Sequence, residues 1–147
     1  MIELINRQRA RKINANKWRE FAEHALRAIG RAHQTASIVF VSDAEIKKLN
    51  RQFRGKNYAT DVLSFPTKAE DFETDNQSQL GEVVISVERA AAQARENGLT
   101  FSNEVQQLIL HGLLHLSGHD HETDNGEMNR LEQKLRRQLL GSKSRFN

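Results

Sequence analysis

The stretch HGLLHLSGHDHE, residues 111–122, holds four of the six histidines in the chain. His111 and His115 stand four residues apart, so on a helix they project from one face with Cβ atoms about 5–6 Å apart. The run around them, LILHGLLHL at 108–116, is apolar on nearly every side and reads as a buried helix. Two imidazoles buried together need partners, since an unpaired buried polar group costs roughly 2–7 kcal/mol. A metal ion serves both at once, taking their lone pairs at about 2.0–2.1 Å. Gly118 then breaks the helix, and the turn lets His121 approach as a third ligand. Three histidines leave a coordination position open, the arrangement of a single catalytic zinc ion that acidifies water and polarises a phosphoryl or carbonyl oxygen. The competing readings are satisfied core histidines beside solvated loop ones, and a structural site completed by a carboxylate. His119 reads as pointing away from the ligands or supporting them from behind. Asp120 and Glu122 read as orienting partners, bases or solvated acids.

The spacing H-x3-H-x2-G-x2-H is that of the metzincin zinc proteases, with one difference. Their helix carries glutamate directly after the first histidine as general base, and here that position is Gly112. The tripod is kept and the proteolytic base is missing.

The elements that must position these residues can be read along the chain. Asn14 to Ile29 is an amphipathic helix with Trp18, Phe21, Ala22, Ala25, Leu26 and Ile29 on one face and Gly30 as its stop. Ser37 to Val41 is a β-branched, aromatic strand. Ser42 with Glu45 predicts a capping box that opens a short helix to about Asn50. Thr60 to Phe65 is a second strand, ended by Pro66, the chain's one proline. The polar, acidic stretch 67–79 predicts a loop. Leu80 to Ile85 is a strand, followed by a helix from Ser86 to about Gly98 and the histidine helix from about Ser102 to Ser117. Met128, Leu131, Leu135 and Leu139 mark a last amphipathic helix, and Ile2–Asn6 fits an N-terminal strand. Helices and strands mix without strict βαβ alternation, so the expectation is one α+β domain over 1–147. It would have one small mixed sheet packed with helices and the metal site at the end of a buried helix.

Composition bounds the function classes. With 147 residues, 37% hydrophobic and 28% charged, the chain suits a globular domain large enough to bury a core. No apolar run reaches the 18 or so residues that span a bilayer, and no secretory leader is evident, so the expectation is a cytoplasmic protein without a membrane partner. With no cysteine there is neither a disulfide framework nor a thiolate metal site. The net charge of +3 is uneven. Arg7, Arg9, Arg11, Lys12, Lys17 and Arg19 oppose only Glu3 at one end, and Arg130, Lys134, Arg136, Arg137, Lys143 and Arg145 oppose only Glu132 at the other. Such ends either hold phosphate backbones or form solvated surface. One tyrosine and one tryptophan argue against an extended base-stacking platform. His24 and His33 lack patterned neighbours and read as surface residues.

With these residues in view, the chain resembles the YbeY family of bacterial endoribonucleases, the rRNA maturation factors. Three stretches carry the likeness: HGLLHLSGHDH at 111–121, LNRQFRGKNYATDVLSFP at 49–66, and LGEVVIS at 80–86. The resemblance implies a zincin-like fold with one zinc ion on His111, His115 and His121. It implies single-strand-specific endoribonuclease activity in 16S rRNA 3′-end maturation and ribosome quality control. The implied partners are RNA rather than DNA, the 30S subunit and ribosomal proteins. It assigns the family's important arginine to Arg54, as catalytic residue. A guanidinium there offers a bidentate fork for a phosphate oxygen; the alternative is a structural arginine that pairs Asp61 or caps carbonyls. Lys56, Asp61 and Ser64 are weaker candidates for the same cleft. Glu82 stands where aspartate is usual and His119 where tyrosine is frequent, both chemically close. Two other classes stay open: another zinc hydrolase, a peptidase or amidohydrolase, and a ribosome-assembly factor whose metal only holds the fold.

Overall fold

A computed structural model describes residues 1–67, 79–118 and 125–140 of the chain. Within them the order is β1 (Ile2–Asn6), α1 (Ala15–Ile29), β2 (Thr35–Val41), α2 (Asp43–Arg54), β3 (Val62–Pro66), β4 (Gln79–Ser86), α3 (Val87–Glu96), α4 (Phe101–Leu116) and α5 (Glu127–Leu140). The strands form one mixed sheet in the order β1-β2-β4-β3, in which β1, β2 and β4 are parallel and β3 runs antiparallel at the edge. This is the α+β architecture with a single small sheet that the pattern predicts.

Period-two alternation divides the sheet's side chains between two faces. Ile38, Phe40, Val83 and Ile85 point to one face, where α1, α3, α4 and α5 cover them in the main core. Val39, Val41, Leu63 and Val84 point to the other, where, among the described residues, α2 is the helix that packs, through Ile46 and Leu49. Trp18 of α1 anchors the larger layer, 5.2 Å from the Phe40 ring and 5.7 Å from Phe101. The middle and end of α4 are deeply set against the sheet. Ile109, Leu110, Leu113 and Leu114 are all fully buried, each contributing about 1.5–3 kcal/mol by leaving water.

The helix ends follow local chemistry. The Asn14 side chain accepts from the Lys17 amide and Gly30 closes α1 at φ +91°. Ser42 accepts from the Glu45 amide as the capping box requires, while Glu45 itself pairs loosely with Arg7 at 3.8 Å. α2 continues four residues beyond Asn50, to Arg54, because Phe53 meets Phe65 of β3 edge-on at 5.3 Å and Gly55, at φ +69°, is the first residue suited to stop it. β3 begins at Val62 rather than Thr60: the Asp61 carboxylate accepts the Val62 amide and turns the chain into the strand. Pro66 sits within the edge strand as its last residue, where its missing N–H costs no ladder bond. Most of the acidic stretch 67–79, and residues 119–124, lie outside the described residues. Among the described residues no helix is long and apolar enough to cross a membrane.

Candidate metal and nuclease site

α4 carries a polar ridge on an otherwise apolar cylinder. Asn103, Gln107, His111 and His115 follow one another at intervals of four and so share one face. α5 presents the matching ridge, Met128, Glu132 and Arg136, also four apart. Where the two meet, the Glu132 carboxylate accepts from His111 Nδ1 at 2.8 Å through one oxygen and from the Arg136 guanidinium through the other. Arg136 Nη1 donates to Gln107 Oε1 at 2.9 Å, and Gln107 Nε2 donates to Asn103 Oδ1 at 2.6 Å. Glu132, Arg136 and Gln107 are all buried. Burial pushes the Glu132 carboxyl up, but the hydrogen bonds and positive charge of His111 and Arg136 outweigh it, and the group is held below the ordinary carboxylate range. An ionised Glu132 can only accept, so the His111 Nδ1 carries a proton, and in the neutral form of the ring that binds a metal Nε2 keeps the lone pair.

That Nε2 faces its neighbour. His111 Nε2 and His115 Nε2 converge to 3.1 Å, their rings inclined at 63° with centroids 4.6 Å apart. Two nitrogens about 2.0–2.1 Å from a tetrahedral zinc stand only a few tenths of an ångström further apart than this. The chain's own donor set thus fits a zinc ion: two imidazoles with converging ε nitrogens, one of them oriented from behind by a carboxylate. His121, His119, Asp120 and Glu122 lie outside the described residues, and among the described residues no group of three potential ligands assembles.

Gly112, between the two ligand candidates, has a packing role. A Cβ there would lie 2.5 Å from Val83 Cγ1, so the helix can settle this closely on β4 only without a side chain. The position that carries a glutamate in metzincins is pressed against the sheet here. Ser64 of β3 donates to the Gly112 carbonyl at 3.4 Å and holds the edge strand to the same turn of α4. Gly81, at φ +142°, allows an equally close approach on the neighbouring turn, where a Cβ would lie 2.2 Å from the Phe65 carbonyl oxygen and 3.0 Å from Leu116.

Arg54 comes from the other side of the sheet. It is the last residue of α2, exposed, and among the described residues its side chain makes no hydrogen bond or ion pair. The structural alternative of an Arg54–Asp61 pair is not realised: Asp61 caps Val62 and meets Thr60 instead. α2 and α4 both run toward the Gly81–Pro66 end of the sheet, Phe53 reaching Phe65 on one face while Leu116 reaches Gly81 on the other. Arg54 and the histidines therefore lie at one end of the sheet, on opposite faces, with edge strand β3 between them. Lys56 is exposed, and so are His24 and His33. The basic C-terminal stretch is less available than its charge suggests, since Arg136 and Glu132 neutralise one another in the core.

Sequence reasoning missed the Asn103–Gln107–Arg136–Glu132 relay and looked for supporting carboxylates at Asp120 and Glu122. The signal was present: Glu132 and Arg136 fall on the same helical face as Met128 and Leu135. Charged residues on an apolar stripe announce a buried polar contact.

Comparison with known proteins agrees with this picture. The family model described as endoribonuclease YbeY matches residues 3–140. An endoribonuclease YbeY of Solibacter usitatus is 50% identical over 101 residues, covering 69% of this chain and 63% of that protein. The Syntrophus aciditrophicus protein of the same name is 36% identical over 139 residues, covering 95% of this chain and 87% of its own. The solution structure of a Thermotoga maritima protein superposes with a TM-score of 0.63 at 31% identity, covering 96% of this chain and 90% of that one. With the fold, the histidine helix and matches over almost the full length in agreement, the chain belongs to the YbeY family of endoribonucleases.

Proposed function

We propose that the protein is a zinc-dependent endoribonuclease that cuts single-stranded rRNA precursors in the cytoplasm, acting in 16S rRNA 3′-end maturation and ribosome quality control. The observation that carries the metal assignment is the convergence of His111 Nε2 and His115 Nε2 with Glu132 bound behind His111. His111, His115 and His121 would hold one zinc ion, which supplies a Lewis acid beside the scissile phosphate when bound. Glu132 keeps the His111 ring in one tautomer and one orientation, and the relay to Asn103 keeps Glu132 in place. Arg54, whose side chain is free of internal partners among the described residues, offers its fork to a phosphate oxygen of the bound strand on the α2 side of β3. Gly112 leaves no room for the base of a metzincin-type peptidase, which favours RNA over peptide as substrate. The proton of the attacking hydroxyl then goes to Asp120, to Glu122 or to a solvent water. Attack by the RNA's own 2′-hydroxyl leaves a cyclic phosphate end and attack by water does not, so the product ends separate the routes.

The deciding experiment is cleavage of a 16S rRNA precursor by wild type and His115→Ala, each with the same circular-dichroism spectrum. Wild type is expected to cut, to stop on chelation and to recover with zinc, and the folded variant is expected to be inactive. Equal cutting by both would remove the histidines from the chemistry. Binding of RNA without cutting by wild type, together with unfolding of the variant, would recast the metal as one that only holds the fold in an assembly factor.

A further inference from the structure

Among the described residues, the face of the sheet that α2 covers is only partly closed, and beside α2 it leaves a cleft of about 340 Å³. The valines Val39 and Val84 form its floor, and the rings of Phe53 and Phe65, edge to face, form a wall. Two polar groups of opposite chemistry border it, Arg7 and Glu82. Glu82 is an unusual residue for this place. It lies in β4, with Ser37 of β2 on one side and Phe65 of β3 on the other. Its carboxylate is exposed, and among the described residues nothing donates to it. The Arg7 side chain is 57% exposed, and among the described residues its guanidinium has one loose contact, 3.8 Å to Glu45. Phe53, 60% exposed, keeps a large apolar surface in water beside them. Directly after Phe53 come Arg54 and, past the Gly55 turn, Lys56, both exposed cations.

Resting on the endoribonuclease reading, we propose that this cleft is a nucleobase pocket. It takes one unpaired base of the RNA strand, with Glu82 reading the base edge. A base is flat and apolar on its faces and polar only at its rim, which matches a slot of valines and phenylalanines with hydrogen-bonding groups at its border. The volume is at the small end of the roughly 300–1,000 Å³ of ligand pockets, enough for one ring system. The cations at 54 and 56 provide for the phosphates on either side of that base. Glu82 decides which base. An ionised carboxylate has two acceptors and no donor, so it pairs best with an edge that presents two adjacent N–H donors. Guanine alone among the four bases has such an edge, at N1 and N2. Adenine and cytosine set a donor beside an acceptor, and uracil has a single donor between two acceptors. The pocket therefore selects guanine, on the opposite face of edge strand β3 from the histidines.

The test is a titration of the full chain with guanosine, adenosine, cytidine and uridine 5′-monophosphates. The methyl resonances of Val39 and Val84 report ring-current shifts, in wild type and in Glu82→Gln. Guanosine monophosphate is expected to shift both methyls and to bind about tenfold more tightly than uridine monophosphate. Glu82→Gln, exposed and nearly isosteric, should weaken guanosine binding about tenfold and gain affinity for adenosine monophosphate, whose N6 donor and N1 acceptor match an amide. Phe53→Ala should weaken all four alike. Methyl shifts absent with every nucleotide, or a base order unchanged in Glu82→Gln, would overturn the proposal. Cleavage of single-stranded oligoribonucleotides by the same preparations tests the underlying reading separately. If wild type cuts while its Val39 and Val84 methyls ignore the nucleotides, the pocket fails and the nuclease stands. If the methyls respond as expected but nothing is cut, the nuclease reading fails and the pocket stands.

Discussion

Replacing Glu132 with alanine tests the centre of the site without touching a proposed metal ligand. The side chains of Glu132 and Arg136 are 6% and 4% exposed, and the pair is joined one helical turn apart. Removing the carboxylate deprives a buried guanidinium of the anion it was buried with, a change that costs about 3–5 kcal/mol. The His111 Nδ1–H loses its acceptor in the same step. Whole-domain stability is about 5–15 kcal/mol, so the loss is a large share of it. In urea, with m around 2 kcal/mol/M for a chain of this size, the unfolding midpoint should fall by about 1.5–2.5 M. Replacing both partners with apolar residues, Glu132→Leu with Arg136→Met, should recover much of that, because no uncompensated charge then remains inside. Glu132→Gln keeps the shape and an acceptor for His111 but removes the charge; it too should destabilise the fold through the unpaired Arg136, and in the protein that remains folded it should lower zinc affinity about 10–100-fold in a competition titration. A Glu132→Ala protein within 1 kcal/mol of wild type would refute the burial argument. A Glu132→Gln protein with unchanged zinc affinity would refute the orienting role.

Two further outcomes follow from the same geometry. Gly112→Ala should cost about 1–3 kcal/mol through the 2.5 Å approach to Val83 Cγ1, seen as a lower melting temperature, and Val83→Ala in the same chain should restore part of it. Arg54→Ala should change stability by less than about 0.5 kcal/mol, because the side chain is exposed, yet lower kcat/KM on RNA by about 10–100-fold through the lost charged contact to a phosphate. Arg54→Lys should recover only a fraction, since an ammonium lacks the fork; equal activity of Lys and Arg variants would reduce Arg54 to a point charge.

How much could be read from the sequence depended on whether the signal was local. Asn14 and Gly30 bracket α1 because caps act within one turn of the backbone, and they fall where the pattern places them. The Ile2–Asn6 strand and the α4 boundaries were legible for the same reason. The end of α2 was not, because it is set by a contact between Phe53 and a strand residue twelve positions on. The relay behind His111 was missed because periodicity was searched for apolar residues only. Asn103 and Gln107 precede the histidines at the same interval of four, and they read as incidental polar residues until α5 is laid beside them. Charge counting failed at Arg136 for a related reason: net charge takes no account of depth, and this arginine is spent on Glu132 inside the core.

The glycine at position 112 joins the fold to the chemistry. A helix that carries two ligand candidates on one face must keep their rings fixed to within fractions of an ångström, and α4 does so by sinking onto β4 until Val83 occupies the space of a side chain. That closeness is incompatible with a glutamate one residue after the first histidine. A protein built this way keeps the rigid imidazole pair and must find its proton acceptor elsewhere, whether in the turn after Gly118 or in the substrate. RNA can bring its own nucleophile in the 2′-hydroxyl, and a peptide has no equivalent group. The packing that removes the peptidase base thus costs least for a substrate that carries its nucleophile with it. A cyclic phosphate at the cleaved end would show that the chain relies on this, and a 3′-hydroxyl with a 5′-phosphate would show that attack by water is used instead.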